Sequence, residues 1–169
     1  MNSKIIKIRA MEPEDLDLLY EIENDTALWD VGTTNVPYSR YALHDYVAHA
    51  SNDIYADRQV RFMIDNEQEE TIGIMDMVNF NPKHQRAELG IVIMNKFRGL
   101  GYGQAALREV VKYAQSVLHL HQLYVIVDAE NKASIQLFQE QGFEQGAILK
   151  QWLYDGQKYH DALFLQTFL

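Results

Sequence analysis

Three glycines at alternate positions, Gly99, Gly101 and Gly103, follow Arg98 in the segment NKFRGLGYGQ (95–104). An apolar run precedes the segment, and apolar residues at helical spacing follow it. Glycine lets backbone N–H groups turn inward, and a helix start adds a positive dipole, so phosphate can bind without a metal. The guanidinium of Arg98 also suits phosphate. The segment therefore predicts either a diphosphate site or a tight turn into a helix.

The spacing of this glycine loop excludes two common nucleotide-binding loops. The loop lacks the Gly-Lys-Ser/Thr ending of a P-loop. Its alternate glycines also do not fit the dinucleotide pattern G-x-G-x-x-G. A phosphate bound here is therefore held in neither of those two ways.

A second candidate is Glu88, within the otherwise apolar run RAELGIVIM (86–94). An isolated carboxylate in an apolar strand is costly, so such a residue is either functional or paired. The functional interpretation is a general base, because burial makes a carboxylate a better base near neutral pH. The alternative is a glutamate paired with Arg86 or another cation at the sheet surface.

The elements that must position these residues alternate between strands and helices. Strand patterns occupy 4–10, 59–65, 71–80, 86–94 and 122–129, and a final hairpin follows 142. Helices are indicated after Pro13, from Ser39 to about Ala50, after the glycine loop, and over 133–141 with Gly142 at C′. The order β-α-α-β-β-β-α-β-α-β-β predicts a mixed α/β fold with 86–94 as a central strand, in a single domain over 1–169.

The amino-acid composition excludes several kinds of site and partner. The chain has 169 residues, is 47% hydrophobic and contains no cysteine, which excludes a disulfide scaffold and a cysteine nucleophile. The net charge of −9 makes nucleic acid a poor partner. No apolar run is long enough to span a bilayer, and no signal-peptide pattern is visible. We therefore expect a cytoplasmic protein without a nucleic acid or membrane partner.

The negative charge lies in the first part of the chain. Residues 1–70 contain 6 Lys and Arg against 15 Asp and Glu, whereas residues 71–169 contain 9 of each. This asymmetry indicates either a solvated acidic face or a surface that faces a cationic ligand.

The segment Arg98-Gly-Leu-Gly-Tyr-Gly103 resembles the R/Q-x-x-G-x-G/A signature of the GNAT superfamily of N-acetyltransferases. The preceding strand and the following helix match as well, and the resemblance covers nearly the whole chain. Within the family, the segments 59–65, 86–93, 121–135 and 155–165 resemble bacterial spermidine (polyamine) N-acetyltransferases and ribosomal-protein N-terminal acetyltransferases. The resemblance implies the GNAT fold with a splayed central sheet, and acetyl-CoA as the donor.

The resemblance also implies which residues contact acetyl-CoA. The family binds the pyrophosphate on backbone N–H groups of the signature loop, and the pantetheine arm lies along the preceding strand, which splays from the next one. Asn131 matches a cofactor-contact position, although a simple helix cap would also explain it. The residues implied for the cofactor are Ile91, Val92, Ile93, Arg98, Gly99, Leu100, Gly101, Tyr102, Gly103, Gln104, Asn131, Ser134 and Phe138.

The resemblance implies that the amine attacks acetyl-CoA directly while both are bound in a ternary complex. The attacking amine must be neutral, so a base must remove its proton. Glu88 is the predicted base, because its segment matches the family segment in which a glutamate faces the active site. A backbone N–H near Ile91 is expected to polarise the carbonyl.

The acid that protonates the leaving thiolate is where this chain departs from the polyamine pattern. Those enzymes carry a tyrosine seven residues after the asparagine, and here that position is Phe138, which has no proton to donate. Asn131-Lys-Ala-Ser134 instead fits the N-x-x-S pattern of the ribosomal-protein enzymes, so Ser134 is the candidate. Alternatively, Ser134 is an ordinary first-turn hydroxyl, or it bonds the cofactor without proton transfer, or no acid is needed.

For the acceptor, the family uses a cleft between the N-terminal helices and the last hairpin. Carboxylates beside aromatic rings suit an alkyl-ammonium chain through charge pairing and cation–π contact. The same side chains would equally suit a basic peptide or an aminoglycoside. The predicted acceptor residues are Glu21, Asp25, Trp29, Asp30 and Glu88, from a group that also includes Glu23.

Three functional hypotheses remain open at this point. The first is an N-acetyltransferase for a small cationic amine such as spermidine, the second is an N-terminal acetyltransferase of a ribosomal protein, and the third is a catalytically silent acyl-CoA-binding module. No metal site is predicted, because His119 and His121 have no carboxylates patterned around them. His160 is expected at the surface, and a homo-oligomer is compatible with each hypothesis.

Overall fold

Seven strands form one mixed sheet in the parts of the chain that the computed structural model describes, residues 4–28 and 36–169. The spatial order is β1-β2-β3-β4-β5-β7-β6, so β4 is central, as predicted. Only the β4–β5 pair is parallel among these. The strands are β1 Lys7–Ala10, β2 Val60–Asp65, β3 Thr71–Asn81, β4 Arg86–Ile93, β5 Gln122–Asp128, β6 Glu144–Tyr154 and β7 Tyr159–Phe168.

The helices follow the predicted order, with one addition. They are α1 Leu16–Glu23, α2 Arg40–His49, α3 Ile54–Asp57, α4 Tyr102–Ser116 and α5 Lys132–Glu140. The addition is α3, a single turn in which the Asp53 carboxylate accepts hydrogen bonds from the backbone N–H groups of Tyr55 and Ala56. One turn is too short to leave a helical period in the sequence.

Local signals set the helix ends. The Ser39 hydroxyl accepts a hydrogen bond from the Ala42 N–H and caps α2, as predicted. Gly142, with φ +86°, follows α5 in the left-handed conformation that glycine favours. None of the helices in the described ranges is both long and apolar enough to cross a lipid bilayer.

Apolar clusters cover both faces of the sheet. On one face, α4 and α5 pack Leu107, Val110 and Phe138 against β5. On the other face, a smaller cluster joins α1 and α2 to β2 and β3; its buried members include Leu19, Ile22, Leu43, Met63 and Ile74. Because both faces are covered, the central strands are mostly apolar.

The sheet opens between its two parallel strands. β4 and β5 pair only at Arg86↔Gln122, Ala87↔Leu123 and Glu88↔Tyr124, although both strands continue beyond these pairs. β4 stays paired with β3 as far as Ile93, and β5 stays paired with β7 as far as Asp128. The predicted splay therefore begins directly after Glu88.

Candidate active site

A cavity of about 410 Å³ lies where β4 and β5 part, a volume in the range of small-molecule sites. Residues from both faces of the sheet line it. Glu23, Tyr46, Arg61 and Asp76 come from the α1–α2 face, and Asn131, Ser134 and Phe138 come from α5 on the opposite face. Between them lie 88–92 of β4 and 125–128 of β5. The cavity thus joins the two faces at the splay.

The glycine loop leads from β4 into α4. Gly99 (φ +70°) and Gly101 (φ +89°) both have left-handed backbones, and Gly101 is the N-cap residue of α4. The first N–H groups of a helix have no partner within it, so those of 102–104 are available to an anion. A Cβ at Gly103 would lie 3.2 Å from a methyl carbon of Leu137, so the glycine also allows α4 and α5 to pack closely.

The side chains of the loop have their own contacts. The Arg98 guanidinium donates to the Ile93 carbonyl at 2.7 Å and so ties the loop to the end of β4. Tyr102 is only 5% exposed, and its hydroxyl donates to Glu67. Tyr102 can therefore offer a ligand only its backbone. Leu100 is exposed, and the Gln104 amide contacts Glu140.

The predicted cofactor residues outside the loop lie on both sides of the splay. Ile91 and Val92 line the cavity, while Ile93 packs against the main core. On α5, the Asn131 side chain accepts from the Ser134 N–H at 3.1 Å, so Asn131 is the helix cap, and it also lines the cavity. Phe138, which is 1% exposed, meets Phe143 edge to face.

Glu88 lies at the last paired position of the parallel strands β4 and β5. It is half-buried rather than buried, and its Oε2 accepts a hydrogen bond of 2.7 Å from the Asn79 amide rather than pairing with Arg86. The expectation of a buried carboxylate is wrong because this face of β4 lines the open cavity. On β5, opposite Glu88, burial and then the charge of Glu88 raise the pKa of the Tyr124 phenol.

The acceptor face also holds an ion-pair network that the sequence did not indicate. Arg61 donates to both carboxylate oxygens of Asp76, at 2.7 and 2.8 Å, and to Glu23 at 2.5 Å. Burial lowers the pKa of Arg61, but the hydrogen bonds to Asp76 and the charges of Asp76 and Glu23 outweigh it and raise the pKa above its usual value. The guanidinium therefore stays charged in the cavity wall.

Two of the predicted acceptor residues lie outside this cavity. Glu21 is exposed on α1, and the Asp25 carboxylate accepts from the Ala27 N–H. Trp29 and Asp30 lie outside the described residues. Glu23 lines the cavity instead, and the helical spacing of four from buried Leu19 could have indicated it.

The sequence gives weaker indications that Asp76 and Arg61 belong to the cavity. Alternation along β3 places Asp76 on one face with Ile74, and its cross-strand register places it opposite Arg61. Only knowledge of the strand pairing reveals that register, because charged residues occur at many strand positions.

His160 is not at the surface, contrary to expectation, because its side chain is only 10% exposed. Its Nε2 lies 2.6 Å from Asp155, and its Nδ1 lies 3.4 Å from Glu130 and 3.7 Å from Asp128. The hydrogen bond to Asp155 raises the pKa of His160 and lowers that of Asp155. Ligand atoms of Asp128, Glu130 and His160 lie within 4.8 Å of one another, close enough for a metal ion. The absence of a metal site thus stays a prediction.

Residues 6–144 match the family described as acetyltransferase (GNAT) domain. The chain belongs to the GNAT acetyltransferase family. It is thus an N-acetyltransferase that uses acetyl-CoA, and the silent binding module is set aside. The fold and the splay agree with that assignment, whereas the roles of individual site residues stay predictions.

Relatives of known name extend the comparison. The chain is 30% identical over 166 residues to the spermidine N(1)-acetyltransferase of Escherichia coli K12, covering 96% of this chain and 86% of the relative. It is 26% identical over 166 residues to YdaF of Bacillus subtilis, a candidate ribosomal N-acetyltransferase, covering 94% and 88%.

Solved structures agree with the fold. The spermidine N-acetyltransferase of Vibrio cholerae in complex with CoA and spermine superposes with a TM-score of 0.87 at 22% identity, covering 96% of this chain and 95% of that one. A dodecameric structure of the Vibrio cholerae enzyme superposes with a TM-score of 0.81 at 25% identity, covering 96% and 93%.

Proposed function

We propose that the acceptor is a small polycationic amine such as spermidine. The observation that carries this proposal is the charge of the cavity wall, where, among the described residues, the four carboxylates of Glu23, Asp76, Glu88 and Asp128 line the cavity together with one guanidinium, that of Arg61. Carboxylates spaced along a cleft stabilise several ammonium groups on one alkyl chain, whereas a monoamine offers only one charge. The name of the Escherichia coli relative supports the same acceptor.

The residues divide the reaction between the two faces of the sheet. Acetyl-CoA supplies the acetyl group. The first-turn N–H groups of α4 and the loop 98–104 hold its pyrophosphate, and Ile91–Ile93 lie beside the pantetheine arm. Glu88 removes the proton of the attacking amine, directly or through water, and a backbone N–H near Ile91 stabilises the oxyanion.

The leaving group departs toward α5. Ser134, at the first turn of α5, lines the cavity and is the candidate proton donor to the thiolate. Phe138 contributes only its apolar ring, which lines the cavity and is almost fully buried. The polyamine pattern of a tyrosine acid is thus replaced here by a serine, or by release of the free thiolate.

A panel of acceptors tests the acceptor proposal. Purified protein is incubated with acetyl-CoA and with spermine, spermidine, a diamine and a monoamine of matched chain length, while free thiol is followed. We expect kcat/KM to rise with the number of ammonium groups and to fall with ionic strength. Failure to acetylate any polyamine would overturn the proposal.

A second candidate acceptor is the N-terminus of a ribosomal protein. Ser134 in the Asn131-x-x-Ser134 arrangement and the Bacillus subtilis relative favour it. Mass spectrometry of protein N-termini in cells with and without the gene decides between the two. A set of N-termini that does not change argues against this candidate.

We also propose that the protein forms a homo-oligomer. The edge strand β6 exposes Ile148, Trp152 and Tyr154 by 49, 57 and 58%, and exposed edges of this kind invite pairing. The dodecamer of the Vibrio cholerae relative supports an assembly. Light scattering during size-exclusion chromatography measures the mass, and a monomer at micromolar concentration would contradict the proposal.

A further inference from the structure

A β-bulge in β3 lies beside the closed end of the splay. The β3–β4 ladder pairs Val78 with Glu88 and then Asn81 with Arg86, so Asn79 and Phe80 together oppose the single residue Ala87. Asn79 takes a left-handed backbone with φ +51°. Such a backbone is uncommon for a residue other than glycine, and bulges of this kind often re-aim a side chain next to an active site.

The bulge changes the direction in which Asn79 points. Met77 is buried and half-buried Val78 faces the cavity, so regular alternation would turn residue 79 toward the core. Instead Phe80 is the residue buried there, 4% exposed and edge to face with Tyr55. Asn79 is exposed, and its side chain is free to reach across to β4.

In this direction the Asn79 amide donates a hydrogen bond of 2.7 Å from its Nδ2 to Oε2 of Glu88. Tyr124 of β5 is the register partner of Glu88 on the other side, and its ring stacks on Phe164 at 5.1 Å. The Tyr124 phenol is close enough to the carboxylate that, after the larger effect of burial, the charge of Glu88 raises its pKa. The carboxylate thus lies between Asn79 of β3, which binds it, and Tyr124 of β5, at the last residue before β4 and β5 separate.

We infer that Asn79 is a positioning residue, whose amide, turned by the bulge, fixes the Glu88 carboxylate in one orientation at the closed end of the cavity, with Tyr124 as its neighbour on the other side. A base whose one oxygen accepts a fixed hydrogen bond presents its remaining lone pairs to the acceptor amine and loses little conformational freedom on reaction. The inference rests on the proposed role of Glu88 as the base.

The test replaces Asn79 with glycine in two backgrounds. Asn79→Gly removes the amide and keeps a residue that accepts φ +51° without strain, so thermal unfolding should change little. We expect kcat/KM for the amine to fall about 10-fold, the scale of one hydrogen bond to a charged group, with an unchanged KM for acetyl-CoA. In a Glu88→Gln background the same substitution should cost less than about 2-fold, because the base through which it acts is gone.

Two further variants complete the experiment. Gln85→Gly changes another exposed residue with a left-handed backbone (φ +50°) and should leave kcat/KM unchanged. Tyr124→Phe keeps the ring on Phe164 and removes only the hydroxyl, so it repeats the two-background test if Asn79→Gly folds poorly. Tyr124→Phe should lower kcat/KM by about 3- to 10-fold when Glu88 is present, and should have no such effect in the Glu88→Gln background.

The outcomes separate this inference from the proposed function. If Glu88→Gln is impaired but Asn79→Gly reacts at the normal rate, Glu88 remains the base and the positioning role is overturned. An equal loss in both backgrounds also overturns it, because Asn79 then acts on something other than Glu88. A near-normal rate for Glu88→Gln alone overturns the base assignment itself.

Discussion

The donor side and the acceptor side of the cavity are built in opposite ways. The donor side, residues 91–104 and 131–138, is compact in sequence and presents mainly backbone, with two left-handed glycines and the first turns of two helices. The acceptor side consists of side chains from α1, α2 and successive strands; they are Glu23, Tyr46, Arg61, Asp76 and Glu88. A site made of backbone needs particular spacings in one segment, whereas a site made of side chains needs only that distant residues meet.

This difference determines which substitutions should matter. The donor side should tolerate many side chains but not the loss of its left-handed glycines. On the acceptor side, the identity of each charge should decide the outcome, because the charges of Glu23, Arg61 and Asp76 are partly buried and paired with one another.

The largest effect is expected at the base. Glu88→Gln keeps the shape of the side chain and removes its basicity, so kcat should fall by about 10² to 10⁴-fold while the KM for acetyl-CoA stays constant. Steady-state kinetics with saturating acetyl-CoA measure it. Glu21→Gln, an exposed glutamate on α1, is the matched control and should react within about 2-fold of the normal rate.

The ion-pair network should produce the next effect, on stability. Arg61→Leu leaves the carboxylates of Glu23 and Asp76 without their guanidinium, so the free energy of unfolding should fall by about 3 to 5 kcal/mol, measured by urea denaturation. Arg40→Leu is the control, because Arg40 pairs with Asp17 at the surface and should lose less than about 1 kcal/mol. Equal losses in the two variants would mean that the cavity network contributes no more than a surface pair.

A smaller effect tests the donor side. Gly101→Ala places a Cβ on a backbone with φ +89°, a strain of about 1 to 2 kcal/mol that the free loop relieves by leaving this conformation. Because CoA must then restore the conformation on binding, its Kd should rise about 10-fold when measured by calorimetry. Gly156→Ala introduces the same strain (φ +92°) in the β6–β7 turn and should leave the CoA affinity unchanged. A Gly101→Ala protein that binds CoA normally would remove the loop from the site.

The smallest effect concerns the pair of His160 and Asp155 in the last hairpin. Because Asp155 raises the pKa of His160, the pairing stabilises the folded protein fully below about pH 6.5 and is lost as the pH rises through the raised pKa. The ionised Asp155 carboxylate also stabilises the folded protein, and this stabilisation is lost only in acid, as the pH falls through its lowered pKa. His160→Gln should therefore lower the Tm more at pH 6 than at pH 9, measured by calorimetry. A loss that is the same at both pH values would show that His160 acts through packing alone.

Much of the fold was predictable because each element carries its own pattern. The strands, the Ser39 cap and the helix after Gly103 follow from alternation, capping and helical period, and the resemblance supplied their arrangement. The single-turn helix α3 and the bulge at Asn79 were not predictable in this way. Both are too short to create a period, and the bulge is visible only as a mismatch between two paired strands.

The glycine loop, the helix cap at Asn131 and the excess of acidic residues before 71 can all be recognised from the amino-acid sequence, because each depends on neighbours along the chain. Which carboxylates face the cavity depends instead on how the chain folds: Glu23 and Asp76 line it, whereas Glu21 and Asp25 do not. The fold also brings Asn79 and Tyr124 to the two sides of Glu88. The physical reason is that strand register and the turn of a helix set the direction of each side chain, and register is a property of paired strands rather than of either strand alone.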